Sequence, residues 1–69
     1  MRKEEFIKTL SGQAPEGCNF KVGNLVEWIN DYGVVWRHEV LGFKDGMMFL
    51  DTDSWWFPMD YKKIKKVIK

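Results

Sequence analysis

Val34-Val35-Trp36-Arg37-His38-Glu39-Val40-Leu41-Gly42-Phe43-Lys44-Asp45-Gly46-Met47-Met48-Phe49-Leu50, residues 34–50, is the stretch that decides the fold class. Val34, Trp36, His38 and Val40 alternate with Val35, Arg37, Glu39 and Leu41. That period of two puts successive side chains on opposite faces of a strand. Asp45-Gly46 sits between apolar runs, and Asp-Gly is a preferred pair for the two-residue type I′ hairpin turn, which needs positive φ at both central positions. The stretch therefore reads as a strand over Val34–Phe43, a turn at Lys44-Asp45-Gly46 and a strand over Met47–Leu50. Gly42, near the end of the first strand, predicts a bulge or a sharp bend.

Upstream, Leu25–Asn30 is a strand led in by Phe20-Lys21-Val22-Gly23-Asn24, with Val26 and Trp28 on one face and Leu25, Glu27 and Ile29 on the other. Asn30-Asp31-Tyr32-Gly33 is turn chemistry. Further upstream, Arg2–Leu10 reads as a short helix with Phe6, Ile7 and Leu10 as apolar anchors, stopped by Ser11-Gly12. It is too short to stand alone in water, so it must dock on the rest or fray. Gln13–Asn19 is a loop punctuated by Pro15 and Gly17. Downstream, Asp51-Thr52-Asp53-Ser54 turns again, Trp55-Trp56-Phe57 is a short fourth strand, Pro58–Lys63 fits a 3₁₀ turn, and Ile64–Ile68 is a closing fifth strand. The expected organisation is one domain, with an N-terminal helical segment at 1–12 and a β unit at 20–69.

The 69 residues exclude a second domain, and a chain of this size builds a thin core. Cys18 is the single cysteine and His38 the single histidine, so neither an internal disulfide nor a four-ligand structural zinc is expected. Four Trp, five Phe and two Tyr supply the burial instead. Eleven Lys and Arg against ten Asp and Glu leave +1, which excludes a strong global field toward nucleic acid. No apolar run has the length of a membrane span, and MRKEEF lacks a signal peptide's apolar stretch. With a free cysteine, these features lead us to expect a cytoplasmic protein with no membrane association.

Pro58-Met59-Asp60-Tyr61, followed by Lys62 to Val67, resembles the proline, two polar residues, tyrosine and closing strand that end SH3 domains. The order of elements over Phe20–Ile68 is similar to that of the SH3-like barrel superfamily. The resemblance implies a mainly β fold, a small five-stranded SH3-like barrel carrying a short N-terminal α-helix. It departs from true SH3 domains in lacking a tyrosine-rich opening strand with an acidic loop, and in placing its Trp pair just before the proline rather than one strand earlier. The topology is also similar to that of the type II plasmid dihydrofolate reductases. Their substrate-lining strand corresponds to Trp55-Trp56-Phe57-Pro58, but the Gln-Ile-Tyr triplet of that family is absent, so the similarity implies topology and not activity.

Neighbours on a strand face opposite ways, so Trp55 and Phe57 are expected inside and Trp56 outside. Two roles fit an outward Trp56: an aromatic platform for a peptide or an unstacked base, with Tyr61 or Tyr32 beside it, or a docking surface for the N-terminal helix. Met47 or Met48 would add adaptable apolar contacts, and the expected binding face is Trp56, Tyr61, Tyr32 and Met48. Lys62, Lys63, Lys65, Lys66 and Lys69 form either a phosphate-contacting stripe or a solvated edge strand whose lysines discourage sheet-to-sheet pairing.

Asp51, Asp53 and Asp60 share an Asp-x-Asp spacing with calcium loops, but the glycine and distal glutamate are missing, and turn chemistry accounts for them. His38 has no acid–base partner on its own face, and Cys18 has no neighbouring base. No catalytic residue, metal ligand or cofactor site is expected. The chain reads as a non-catalytic binding module acting on a protein partner through an exposed aromatic face. The alternatives are a nucleic-acid-binding accessory protein using the lysine-rich end, and a homo-oligomer whose function emerges only in the assembly. Its small size and lone cysteine resemble the accessory proteins of phages, plasmids and other mobile elements.

Overall fold

Two residues with positive φ, Asp45 at 53° and Gly46 at 77°, close the hairpin that the sequence marks most clearly. In the computed structural model, which describes residues 2–69, that hairpin joins β2 (Val35–Lys44) to β3 (Met47–Leu50). Met1, the first residue of the expected N-terminal segment, lies outside the described residues. β1 (Leu25–Ile29) pairs with β2 around the turn at Asn30–Val34, where the Asn30 side chain accepts from the N–H groups of Tyr32 and Val34. A short α1 (Lys3–Lys8) precedes the sheet, and a 3₁₀ turn (Tyr61–Lys63) leads into β4 (Ile64–Val67). The Asp60 carboxylate caps that turn by accepting from the Lys62 N–H.

The protein is thus small and mainly β, with one short helix and an antiparallel sheet of order β3-β2-β1-β4. Two expectations are corrected here. The sheet has four strands and is open, with β3 and β4 at its ends, rather than five strands closed into a barrel. Trp55-Trp56-Phe57 is a turn and not a strand. The turn formers before it carry on into it: Thr52 Oγ1 accepts from the Ser54 N–H, and the Ser54 carbonyl accepts from the Phe57 N–H at 2.9 Å. The turn bends the backbone away from the extended course that a ladder needs. Only at Met59 does the chain return to the sheet, exchanging bonds of 2.9 and 2.7 Å with Met48.

β2 is ten residues long because it serves two partners. Its first half pairs with β1; its second half pairs with β3 from Val40 onward, with a register shift between Val40 and Gly42. Gly42 makes the expected bend possible. A Cβ there would lie 2.6 Å from the Leu10 Cβ. The bare backbone lets the end of the helical segment come close enough for Ser11 to bridge Phe43, with bonds of 2.7 and 2.8 Å.

Val26, Val40, Phe43, Met48 and Leu50 form the core, with Trp28, Tyr61 and Ile64 among the side chains packed against it. On the far side of β3, Phe49 meets Phe6 of α1 edge-on at 5.1 Å, and Phe6 also meets Trp55 at 5.3 Å. The helix therefore docks over Phe49 and Trp55. On the outer face of the β1–β2 pair, Glu27 accepts from Arg37 at 3.0 Å and lies 4.0 Å from the Lys66 ammonium. Arg37 and Lys66 are largely in solvent, so this ladder contributes little. Glu27→Gln should lower stability by less than about 1 kcal/mol in chemical denaturation, and the difference should shrink in 1 M salt.

Candidate binding groove

Register builds the site. In the β1–β2 ladder Trp28 lies directly opposite Trp36, and Val26 opposite His38. Residues opposite one another share a face, so Trp28, Trp36 and His38 stand together on the side that also carries Val26 and Val40. Trp28 stacks on Trp36 across the strands with centroids 6.4 Å apart, Trp36 stacks on His38 along β2 at 5.8 Å, and Trp28 meets His38 at a tilt at 6.3 Å. The Trp36 and His38 planes are only 16° apart. The three rings form one aromatic cluster at the groove, close to parallel for the two pairs that include Trp36 and tilted by 37° between Trp28 and His38.

Segment 51–60 rises opposite this platform, and Trp55, Phe57 and Pro58 form the facing wall. Between them lies an open groove of about 1000 Å³. Its charged rim carries Asp51, Asp53 and Asp60 against Lys3 and Lys63, and Lys3 is already paired with Asp51. The uncompensated charge at the groove is therefore acidic. Trp28 also holds the one buried side-chain polar atom without a hydrogen-bond partner among the described residues, its Nε1.

The residues expected to form the binding face are dispersed. Met48 is wholly buried in the core, so it offers no surface to a partner, and this corrects its placement there. The strand period misled because both Met48 and Phe49 are covered, one by the core and the other by α1. Met47, its neighbour, is half-buried and lines the groove. Tyr61 packs against the core and donates its hydroxyl to the Glu16 carbonyl at 3.3 Å. Tyr32 is 92 % exposed at the tip of the β1–β2 turn. Trp56 is exposed and stands edge-on to Trp55 at 5.4 Å. No ring contact joins Trp56, Tyr61 and Tyr32 among the described residues. Phe57, expected inside, is 62 % exposed, because a turn does not impose the alternation of a strand.

Lys62, Lys63, Lys65, Lys66 and Lys69 are all exposed at the 3₁₀ turn and β4. Lys63 lines the groove and Lys66 lies 4.0 Å from Glu27. Cys18 is a free, half-buried thiol against the core. Among the described residues no three metal-ligating side chains cluster, and no helix is long and apolar enough to cross a membrane.

Sequence reasoning missed the Trp28–Trp36–His38 platform as a site. The signal was present: a hairpin closing at Asn30 and Val34 sets Trp28 opposite Trp36, and the period of two adds His38. Comparison with protein-family models, with curated proteins and with solved structures returns no match for this chain.

Proposed function

We propose that this chain is a non-catalytic protein-interaction module, a divergent SH3-like fold that takes an extended peptide segment in the groove between the Trp28–Trp36–His38 platform and segment 51–60. The observation that carries the reading is the stacked platform itself. Trp36 stays 43 % exposed although it belongs to a domain with few residues to spare for a core. Large, rigid aromatics left at a groove are what interface hot spots favour. The acidic surplus at the rim suits a peptide carrying a basic side chain and opposes a phosphate backbone. Support for the fold reading is the pairing of β4 with β1, the 3₁₀ turn just before β4, and the return of the chain to β3 at Met59 where a further strand would run.

The test is panning of a random dodecapeptide library on the full chain, followed by titration of the best synthetic peptide monitored by tryptophan fluorescence. Trp36→Ala should weaken that peptide at least tenfold, which is about 1.4 kcal/mol, while leaving the denaturation midpoint within a few tenths of a molar. Trp56→Ala should leave affinity unchanged. The opposite pattern would move the binding face to Trp56 and overturn the groove. A duplex or single-stranded DNA that binds in place of any peptide, with affinity falling steeply as salt rises, would instead assign the lysines a phosphate-contacting role.

A further inference from the structure

We propose that the peptide binds by strand addition, hydrogen-bonding to the free edge of β2 at Val35 and Arg37 and running antiparallel to it; this rests on the groove reading above.

Hydrogen-bond parity along β2 exposes that edge. The Val40 N–H donates to the Asn24 carbonyl, the Val40 carbonyl accepts from Gly23, and the Val34 carbonyl accepts from Asn30. The even-numbered residues of β2 thus direct both backbone groups toward β1. In an antiparallel ladder the alternate residues must direct theirs the other way. Glu39 does so, and its carbonyl accepts from the Asp51 N–H at 2.9 Å. Asp51 is where β3's side of the sheet ends. The Thr52 N–H turns back to the Leu50 carbonyl, and the chain leaves β2 for the groove wall. Val35 and Arg37 are the next two residues facing the vacated lane, and among the described residues nothing pairs with them there. An added segment would occupy the place β3 would take if it continued past Leu50.

The edge of β4 and the part of β2 that β3 leaves unpaired differ in their side chains. β4 carries Lys65 and Lys66, and lysines on an edge discourage pairing with another chain. The free half of β2 carries Val35, half exposed, with exposed Val34 and Trp36 beside it and Ile29 opposite Val35 on the outer face. An unguarded apolar edge of this kind is a template for β-augmentation, where main-chain bonds give affinity and alternate side chains give specificity. The same alternation assigns the partner's chemistry. Every second side chain of the peptide would lie on the Trp36–His38 face and enter the groove. There it meets the aromatic platform and the carboxylates of Asp53 and Asp60. The residues between would lie beside Val35 and Arg37. The partner is an extended, proline-poor segment that alternates aromatic or basic residues with aliphatic ones.

An N-methyl scan of the panned peptide tests this, together with amide hydrogen exchange on the protein. Methylation at alternate positions should weaken binding at least tenfold, while intervening positions tolerate it. The Val35 and Arg37 amides should exchange freely in the unbound chain and slow at least tenfold when the peptide is added. Val35→Pro removes one edge donor without touching the β1 ladder and should weaken binding similarly; the peptide scan stands on its own if that variant fails to fold. A peptide that binds with no two-residue period and no protection at Val35 and Arg37 overturns strand addition while leaving the groove in place. A library that yields no binder overturns both. A chain that sediments as a dimer at tens of micromolar, with these two amides already protected, gives the edge to a second copy and overturns the peptide as occupant.

Discussion

Met48→Ala should destabilise the protein by about 2–5 kcal/mol, the range for truncating a fully buried methionine. A chain of 69 residues has roughly 3–10 kcal/mol of stability in total, so the variant should be partly or wholly unfolded at 25 °C. Met48 has no exposed surface, and it touches the centre of a core of five buried side chains. Its backbone also joins two parts of the fold, pairing with Phe43 of β2 on one side and with Met59 on the other. The cavity would therefore open where the returning chain is anchored. Chemical denaturation followed by tryptophan fluorescence measures the effect. Met47→Ala is the control: Met47 is half-buried at the groove and should lose less than half as much. Equal losses at the two positions would contradict the burial that separates them.

Gly42→Ala should cost about 1–3 kcal/mol, the range for overpacking a close contact. Alanine usually stabilises a strand glycine by restricting the unfolded chain. Here the sign reverses, because the new Cβ would stand 2.6 Å from the Leu10 Cβ and 3.2 Å from the Ser11 carbonyl. A Cβ next to the backbone cannot swing aside as the end of a side chain can. The segment after α1 must move, and with it the Ser11–Phe43 bridge and the seat of Phe6 on Phe49. Amide exchange at Ser11 and Phe43 should rise more than exchange within β1. Adding Leu10→Gly, which removes the opposing Cβ, should make the double variant less unstable than the sum of the two single losses. A stabilised Gly42→Ala, with Ser11 protection intact, would show that the approach is not as close as the structure has it.

Much of the sheet was legible because its signals are local. Asp45-Gly46 can adopt positive φ at both positions, and residues 34–43 alternate cleanly, so β2, its turn and β3 fall within a residue of expectation. Gly42 reads as a bend for the same reason. The platform was only half legible. Alternation grouped Trp36 with His38, but the partnership with Trp28 needs the register across the Asn30 turn, and a lone histidine on an apolar face reads as structural until two indoles are found beside it. Segment 55–57 misled because aromatic residues favour strands, and nothing local says that the Thr52 and Ser54 turn bonds carry on through it.

The amino-acid sequence by itself determined that this chain is small and mainly β with a short helix near its start, and that its hairpins close at Asn30–Gly33 and Asp45-Gly46. Period and turn chemistry act between residues a few positions apart, which is why they can be read from the chain. Only the tertiary structure decided which aromatics are covered. Met48 is buried because Met59 and the core close over it, Tyr61 is held by the Glu16 carbonyl 45 positions away, and α1 covers Trp55 while Trp56 stays exposed. The free edge at Val35 and Arg37 was likewise decided by the fold, because it exists only where β3 ends before β2 does.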